Sequence, residues 1–481
     1  MSSPEDKLKA LGVIEQLRGP VPSHEASTAD AAQREKEHTS PATETGLISE
    51  DHAATVFVDA YRDRIRYDPD RKTWLTWNGS YWEQDSTGRV FSWIREAVRD
   101  YGSARAKSLS EVAKVGSVNF AKGVETFART TQSIVCPSDR WDANPDRLGT
   151  PCGTVDLKTG RLLPADLADL ISMTTTVAPA PAHTDCPRWL AFLTVATGGD
   201  PELMDFLQRW AGYCLTGHTR EHTLVFLYGG GGNGKSVLVN TLARIMGDYA
   251  RTAQMDTFTA SHFDKGSEGL AALRGARLVT ASETDEGRRW DEARLKAVTG
   301  ADTIRARRLY ENSTEYKPTW KLTFLGNHTP AIQNLDDALR RRIVMVAFTR
   351  KPSAPDPQLE EKLQVEWPAI LQWMIEGAVA WHRDGLTRPK AVVEATAEYF
   401  AEQDTFGSWL AERCQVELGS VTLKEKAISL YEDWRAFASQ QGEDPGSIKT
   451  FGAAMRKRGF QKKQDRAWGT KAFFGVRLKQ R

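Results

Sequence analysis

Cysteine is scarce in this chain: five residues in 481, at Cys136, Cys152, Cys186, Cys214 and Cys414, with no CxxC pair. That argues against a zinc ribbon and a disulfide framework and points to a reducing compartment. Long apolar runs are missing too. Nothing approaches the ~20 residues of a membrane span, and the stretch from Leu8 to Leu17 is broken by Lys9, Gly12, Glu15 and Gln16, so no signal-like segment opens the chain. No sign of charge dominates, with 64 Lys+Arg against 63 Asp+Glu. A uniformly basic or acidic coat is thereby excluded, while local patches are not. Residues 1–50 contain no aromatic residue and are rich in Ser, Thr, Ala, Pro, Glu and Lys. Such a segment buries too little apolar surface to offset chain entropy, so disorder is expected there. No internal repeat is found. What remains is 40% hydrophobic and 26% charged, which predicts a soluble, multidomain, intracellular protein of about three domains.

Aromatic residues begin after residue 50. The pattern predicts a helix over 53–66, then a hairpin at Asn78-Gly79 between arms carrying Trp74, Trp77, Tyr81 and Trp82. These tryptophans are read as holding the hairpin together rather than stacking on bases. A mainly helical stretch to about residue 131 and a second hairpin at 153–163 follow. Helical spacing runs through Leu190, Phe192, Leu193, Leu203, Phe206, Leu207 and Trp210. Continuous apolar runs at 224–228, 277–282, 320–325 and 343–348 alternate with helical segments. This predicts an α/β domain with a mostly parallel sheet. Helices are expected at 359–382, 424–439 and 447–457, and a basic hairpin around Trp468-Gly469.

Directly after the first of those runs stands Gly229-Gly230-Gly231-Gly232-Asn233-Gly234-Lys235-Ser236, continuing through Val237 into a helix. It fits G-x-x-x-x-G-K-[ST]. Glycines let backbone N–H groups turn inward around phosphates, the lysine reaches the β and γ phosphates, and the serine hydroxyl holds Mg²⁺. ATP and Mg²⁺ are the expected ligands. Such a site needs an acid at the end of a neighbouring strand, for the metal or the attacking water. Glu283 is the first candidate, with Asp285 and Glu286 beyond it. Asn327, after the next strand, is placed to touch a γ-phosphate or the water. Three arginines, Arg340, Arg341 and Arg342, are costly for a core. Arg341 or Arg342 is expected to reach the nucleotide of a neighbouring subunit, with surface ion pairing as the alternative. His218 and His222 lie in a helix-to-strand connection with no acid to complete a metal site.

The order of these pieces resembles one family. After Gly229–Ser236 come Ser282-Glu283, Leu295 to Arg307, Tyr316-Lys317-Pro318, Gly326-Asn327-His328 and Asp336-x-Ala-x-x-Arg341-Arg342. Upstream stand Trp141-Asp-Ala-Asn-Pro145, Cys186-Pro-x-Trp189 and Gly212-Tyr213; downstream, Trp367-Pro and Gly385-Leu386. Together they resemble the helicase part of the phage and plasmid primase–helicases, related to the poxvirus primase–helicase. The chain departs from that pattern at Cys152, where the family usually has Asn. The resemblance implies a superfamily 3 helicase with an AAA+ core, assembling as a ring, a hexamer by family likeness, in the cytoplasm of a bacterial host. A separate primase or initiator would be a partner. The 50 residues before the first aromatic stretch are too few for a polymerising domain, and Asp68-Pro-Asp70 is read as a plain loop, so priming is not expected.

The expected organisation is a disordered segment over 1–50, an α+β N-terminal domain over 51–185, the P-loop AAA+ ATPase domain over 186–385 and a winged-helix DNA-binding domain over 386–481. Arg305, Arg307, Arg308 and Lys317 flank an apparent hairpin that the resemblance places in a ring's channel, against single-stranded DNA. Residues 444–481 carry eleven Lys/Arg against two Asp, a net +9 in an almost neutral chain. Arg456, Lys457 and Arg458 on a helix, and Lys462, Lys463, Arg466 and Lys471 on a wing, are candidates for gripping duplex DNA. An ATP-gated DNA-binding initiator or loader with little unwinding is the competing reading. A small-molecule kinase is a more distant one.

Overall fold

The computed structural model describes residues 48–260, 266–282, 289–300, 302–306, 314–332 and 336–479. The segment expected to be disordered therefore lies almost wholly outside the described residues.

The first helix, Glu50–Tyr61, is capped by the Ser49 side chain, which accepts from the His52 N–H. It ends earlier than the sequence suggests. Ile65 and Arg66 belong instead to strand β1 (Ile65–Asp68), which pairs antiparallel with β2 (Thr73–Trp77), itself paired with β3 (Trp82–Gln84). Asn78 closes the β2–β3 turn, its Oδ1 accepting from the N–H groups of Ser80 and Tyr81. Trp82 is fully buried and donates to the Leu167 carbonyl, and Trp74 donates to Glu125. Both are structural, as their cross-strand setting suggests. Helices Arg89–Arg105, Leu109–Val115 and Val118–Ala128 complete this core. A second antiparallel sheet, β4 (Arg147–Thr150), β5 (Gly153–Asp156) and β6 (Arg161–Leu163), follows.

The centre is one parallel sheet of five strands. In spatial order they are β13 (Ile343–Ala347), β7 (Leu224–Tyr228), β12 (Lys321–Gly326), β9 (Leu278–Ser282) and β8 (Ala250–Thr252). The four apolar runs account for four of these. The edge strand β8, Ala-Arg-Thr, has no apolar run to announce it. Alternation along β7 serves two cores: Val225 and Leu227 face helices Pro201–Leu215, Lys235–Met246 and Trp367–Asp384, while Leu224 and Phe226 face Glu292–Thr299. Helices Pro201–Leu215 and Trp367–Asp384 touch backbone to backbone. A Cβ on Gly212 would stand 2.0 Å from the Ala378 nitrogen, and one on Gly377 would stand 2.1 Å from the Gln208 carbonyl oxygen. A short ribbon, β10 (Ile304–Ala306) with β11 (Thr314–Tyr316), stands off the second face.

Helix Lys390–Glu402 lies within the stretch expected to open the C-terminal domain, yet Ala395, Tyr399 and Phe400 pack into the core of the parallel sheet. The change of core comes after Glu402. From there, helix Thr405–Arg413 leads to β14 (Cys414–Val416), β15 (Lys424–Lys426), helices Ala427–Gln440 and Ile448–Lys457, then β16 (Gln461–Asp465), β17 (Thr470–Phe474) and β18 (Val476–Leu478). Residues 424–426 are thus strand where helix was expected. β15, β17 and β16 form one antiparallel sheet, and β14 pairs with β18. Trp409, Leu430, Trp434, Phe437, Phe451, Met455 and Phe473 fill the small core between them. Among the described residues no helix is long and apolar enough to cross a membrane.

Candidate functional site

The glycine-rich loop leaves the carboxyl end of β7 and enters helix Lys235–Met246. The neighbouring strands end level with it, Gly326 of β12 opposite Tyr228 and Ser282 of β9 opposite Leu325. Two glycines are enforced by packing. At Gly229, with φ +149°, a Cβ would lie 2.0 Å from the Phe348 carbonyl oxygen. At Gly234, with φ +90°, it would lie 2.7 Å from the Phe192 ring. Around Gly230, Gly231 and Gly232 nothing comes within 4 Å of a Cβ. The loop is therefore tight where it meets the protein and open at its rim, the shape that a phosphate chain would fit.

Lys235 is the charged centre. It is buried, and its Nζ donates to the Gly229 carbonyl at 2.6 Å, to Asn233 Oδ1 at 3.0 Å and to Asn327 Oδ1 at 3.4 Å. Burial pulls its pKa below the usual lysine value. Asn233 donates from Nδ2 to the Phe348 carbonyl, just past the end of β13. Ser236 is exposed at the first turn of the helix and Val237 half-buried behind it. The sequence reading did not single out Phe348, because a backbone carbonyl leaves no residue-type signal.

Lys235, Asn233 and Asn327 thus meet, from a loop and a neighbouring strand end. Glu283, with Asp285 and Glu286, falls outside the described residues, although Ser282 before it ends β9 on this edge. Arg341 and Arg342 are not brought to this loop. They sit on helix Asp337–Arg342 before β13, at its amino end, whereas the loop is at the carboxyl end of the sheet. Five residues of strand separate the two, about 16 Å. Arg341 is exposed and donates to the Asp337 carbonyl, Arg342 donates to that of Ala338, and Arg340 lies over the Phe400 ring.

Arg305 on β10 is exposed opposite Glu315, and Lys317 is exposed just past β11. Arg307 and Arg308, at the ribbon's tip, lie outside the described residues. In the C-terminal module Arg456, Lys457, Lys463, Arg466 and Lys471 are exposed. Lys462 is half-buried, its ammonium 5.3 Å from the Phe473 ring centre. Burial, then the charges of Lys471 and Arg456, draw its pKa down, so three cations converge there. Arg458 turns inward, 2.5 Å from Asp404 and stacked over Phe406.

His218 does not pair with His222, whose Nδ1 faces the Thr299 carbonyl. It meets Asp146 and His382 instead, so the acid that the local sequence lacks arrives from a distant segment. Asp68 and Asp70 hold Ser138, through its hydroxyl and its N–H.

Fold and site define a mixed α/β protein with a glycine-rich loop at the carboxyl edge of a parallel sheet. Residues 54–198 match a family model described as D5 N terminal like, and residues 227–342 match a family of unknown function, DUF5906. The chain is 27% identical over 257 residues to a protein of Acanthamoeba polyphaga mimivirus named "Putative helicase L207/L206", the match covering 49% of this chain. It is 26% identical over 262 residues to "Putative helicase 022R" of Frog virus 3, again 49% of this chain. With "Putative primase C962R" of African swine fever virus (strain Badajoz 1971 Vero-adapted) it shares 22% over 378 residues, 72% of this chain. The chain spans 27%, 27% and 38% of the lengths of these three relatives. A solved structure described as the apo A form of the NrS-1 C-terminal region covers 89% of this chain and all of its own, at 10% identity and a TM-score of 0.47. The D5 N terminal like match and the relatives named putative helicase or primase support a primase–helicase family assignment.

Proposed function

We propose that the chain is an ATP-driven DNA helicase of the ring-forming superfamily 3 type, acting in the replication of phage, prophage or plasmid DNA in a bacterial cytoplasm. The observation that carries this reading is the convergence of Lys235, Asn233 and Asn327 at an open glycine rim. An ammonium held by three neutral oxygens can exchange them for phosphate oxygens at a net electrostatic gain. In this reading the loop N–H groups and Lys235 bind the triphosphate, and Asn327 orients a γ-phosphate or the attacking water. Ser236 and Glu283 hold Mg²⁺, which when bound neutralises phosphate charge.

Arg341 and Arg342 lie at the far end of β13 from their own loop. They would serve the nucleotide of the next protomer, which is why a ring is proposed. Such an arginine is worth on the order of a thousand-fold in rate. The β10–β11 ribbon, with Arg305, Arg307, Arg308 and Lys317, would contact single-stranded DNA in the channel. Residues 405–478 run helix, two strands, two helices and three strands, of which β16 and β17 pair as an antiparallel wing. That order supports a winged helix gripping duplex DNA through Arg456, Lys457, Lys462 and Lys463. The same basic module would equally suit an ATP-gated initiator, which would bind duplex without separating it.

The test is ATP hydrolysis with and without single-stranded DNA, with Lys235→Ala as control, followed by strand displacement. Turnover stimulated by DNA and lost in the variant is expected. Turnover indifferent to DNA overturns the helicase reading, and stimulated turnover without displacement favours the initiator.

A further inference from the structure

A second polar centre lies at the opposite, amino end of the sheet and belongs to none of the machinery above. Asp146 comes from the loop before β4, His218 from the turn after helix Pro201–Leu215, and His382 from the last turns of helix Trp367–Asp384. His218 Nε2 is 2.7 Å from Asp146 Oδ1, and His382 Nε2 is 3.1 Å from the same oxygen. One ligand atom from each of the three lies within 4.8 Å of the others. The side chains are only 12%, 27% and 12% exposed for Asp146, His218 and His382.

The protein alone does not satisfy this group. His382 Nε2 is buried and makes no hydrogen bond, because its approach to Asp146 has the distance but not the direction. A buried polar atom left so carries a desolvation penalty that nothing in the fold offsets. Two imidazole nitrogens gathered within 3.1 Å of one carboxylate oxygen form a donor set that a cation would complete.

We propose that Asp146, His218 and His382 form a binding site for a divalent transition metal ion of the zinc class, using Asp146 Oδ1 and both Nε2 atoms and leaving a fourth position to water. Two imidazoles and one carboxylate suit a borderline cation that binds N and O at about 2.0–2.2 Å. They do not suit Mg²⁺, which prefers an all-oxygen octahedron. Tetrahedral ligands at that range stand about 3.4 Å apart, so the observed spacings need to open by roughly half an ångström. Asp146 Oδ2 is held by Lys158 Nζ at 2.8 Å, and the Asp146 N–H donates to Asn144, so the carboxylate is already oriented. Lys158 opposes a cation by charge, as does Arg220, stacked over Trp381. The affinity is therefore expected in the micromolar range. Lys158 is 61% exposed and free to swing out. An ion here would clamp the β4–β6 segment to two helices flanking the central sheet.

The experiment uses the full chain in a Cys152→Ser background, since Cys152 is the exposed thiol among the described residues. After chelator dialysis, Zn²⁺ is titrated by calorimetry and Co²⁺ by its visible ligand-field absorption. One ion per chain is expected. His218→Gln and His382→Gln should each weaken binding at least ~100-fold, and Lys158→Ala should tighten it several-fold. The lysine is not a ligand, so this second variant keeps the test informative should a histidine variant fail to fold. No stoichiometric binding at 100-fold excess over protein, or binding indifferent to Lys158→Ala and to the histidine variants, overturns the proposal.

Discussion

The two ends of the parallel sheet each bury cations, and they do so differently. At the carboxyl end Lys235 sits beneath glycines around which a Cβ would meet nothing. At the amino end Arg277 is fully buried and donates to the carbonyls of Leu215 at 2.6 Å and Arg147 at 2.7 Å, with Tyr249 stacked 4.5 Å away. Beside it Lys321 donates to the Thr216 and Thr319 carbonyls. The oxygens to which these two donate are backbone carbonyls, which Arg277 and Lys321 hold in place. Burial of a charge therefore does not by itself mark a binding site. What separates the two ends is whether the charge faces open space or filled space.

The sharpest way to break this contrast is a crossed pair of variants. Lys235→Ala should cut ATP hydrolysis by three orders of magnitude or more while lowering the thermal midpoint less than Arg277→Ala does, since one of the three oxygens it frees, Asn327 Oδ1, belongs to an exposed residue. Arg277→Ala should do the reverse. It strands two buried carbonyls and removes the cation beside the buried Asp142, whose carboxyl burial already pushes toward the neutral form. A loss of about 3–5 kcal/mol is expected, read as a midpoint about 10 °C lower by calorimetry. If Arg277→Ala instead abolished hydrolysis at an unchanged midpoint, the contrast would collapse.

Lys321 sharpens the same point through pH. Burial pulls its pKa down to about 7, and Cys214 beside it, its thiol pushed up to about 12, is neutral there and offers no counter-charge. Between about pH 7 and the unfolded lysine value near 10.4 the unfolded chain holds a proton that the folded one does not. Stability therefore rises with pH through that window, and the burial penalty is fully present below it. From pH 7 to 9 the gain is up to about 3 kcal/mol, order-of-magnitude. Lys321→Met should flatten this rise relative to the parent in chemical denaturation. An equal rise in both would show that the lysine stays charged in the fold.

Legibility in the sequence follows locality. The glycine loop is one contiguous segment between an apolar strand and an apolar-periodic helix, so its place and its neighbour Asn327 could be read directly. Four central strands announced themselves by apolar runs. What escaped was assembled across the chain: edge strand β8 with no apolar run, helix Lys390–Glu402 folding back onto β13, and the triad of Asp146, His218 and His382. His218 illustrates the limit. Its near neighbour His222 offered no acid to complete a site, and the residues that do meet it are Asp146, inside the first matched region, and His382, beyond the end of the second, which no spacing rule connects.

The smallest effect tests whether the open-versus-filled contrast extends to the C-terminal module. Arg458 and Lys463 are five residues apart in one basic stretch, yet Arg458 is bound to Asp404 and Phe406 while Lys463 is exposed on β16. Lys463→Ala should weaken duplex DNA binding only a few-fold and reduce the slope of log affinity against log salt by about 0.9, one phosphate contact. It should leave the thermal midpoint alone. Arg458→Ala should lower the midpoint and leave the salt slope alone, because its charge is already compensated within the fold. Fluorescence anisotropy at several salt concentrations reads the slopes. Equal slopes for the two variants would mean that the wing does not meet DNA through β16, or that Arg458 lets go of Asp404 when DNA arrives.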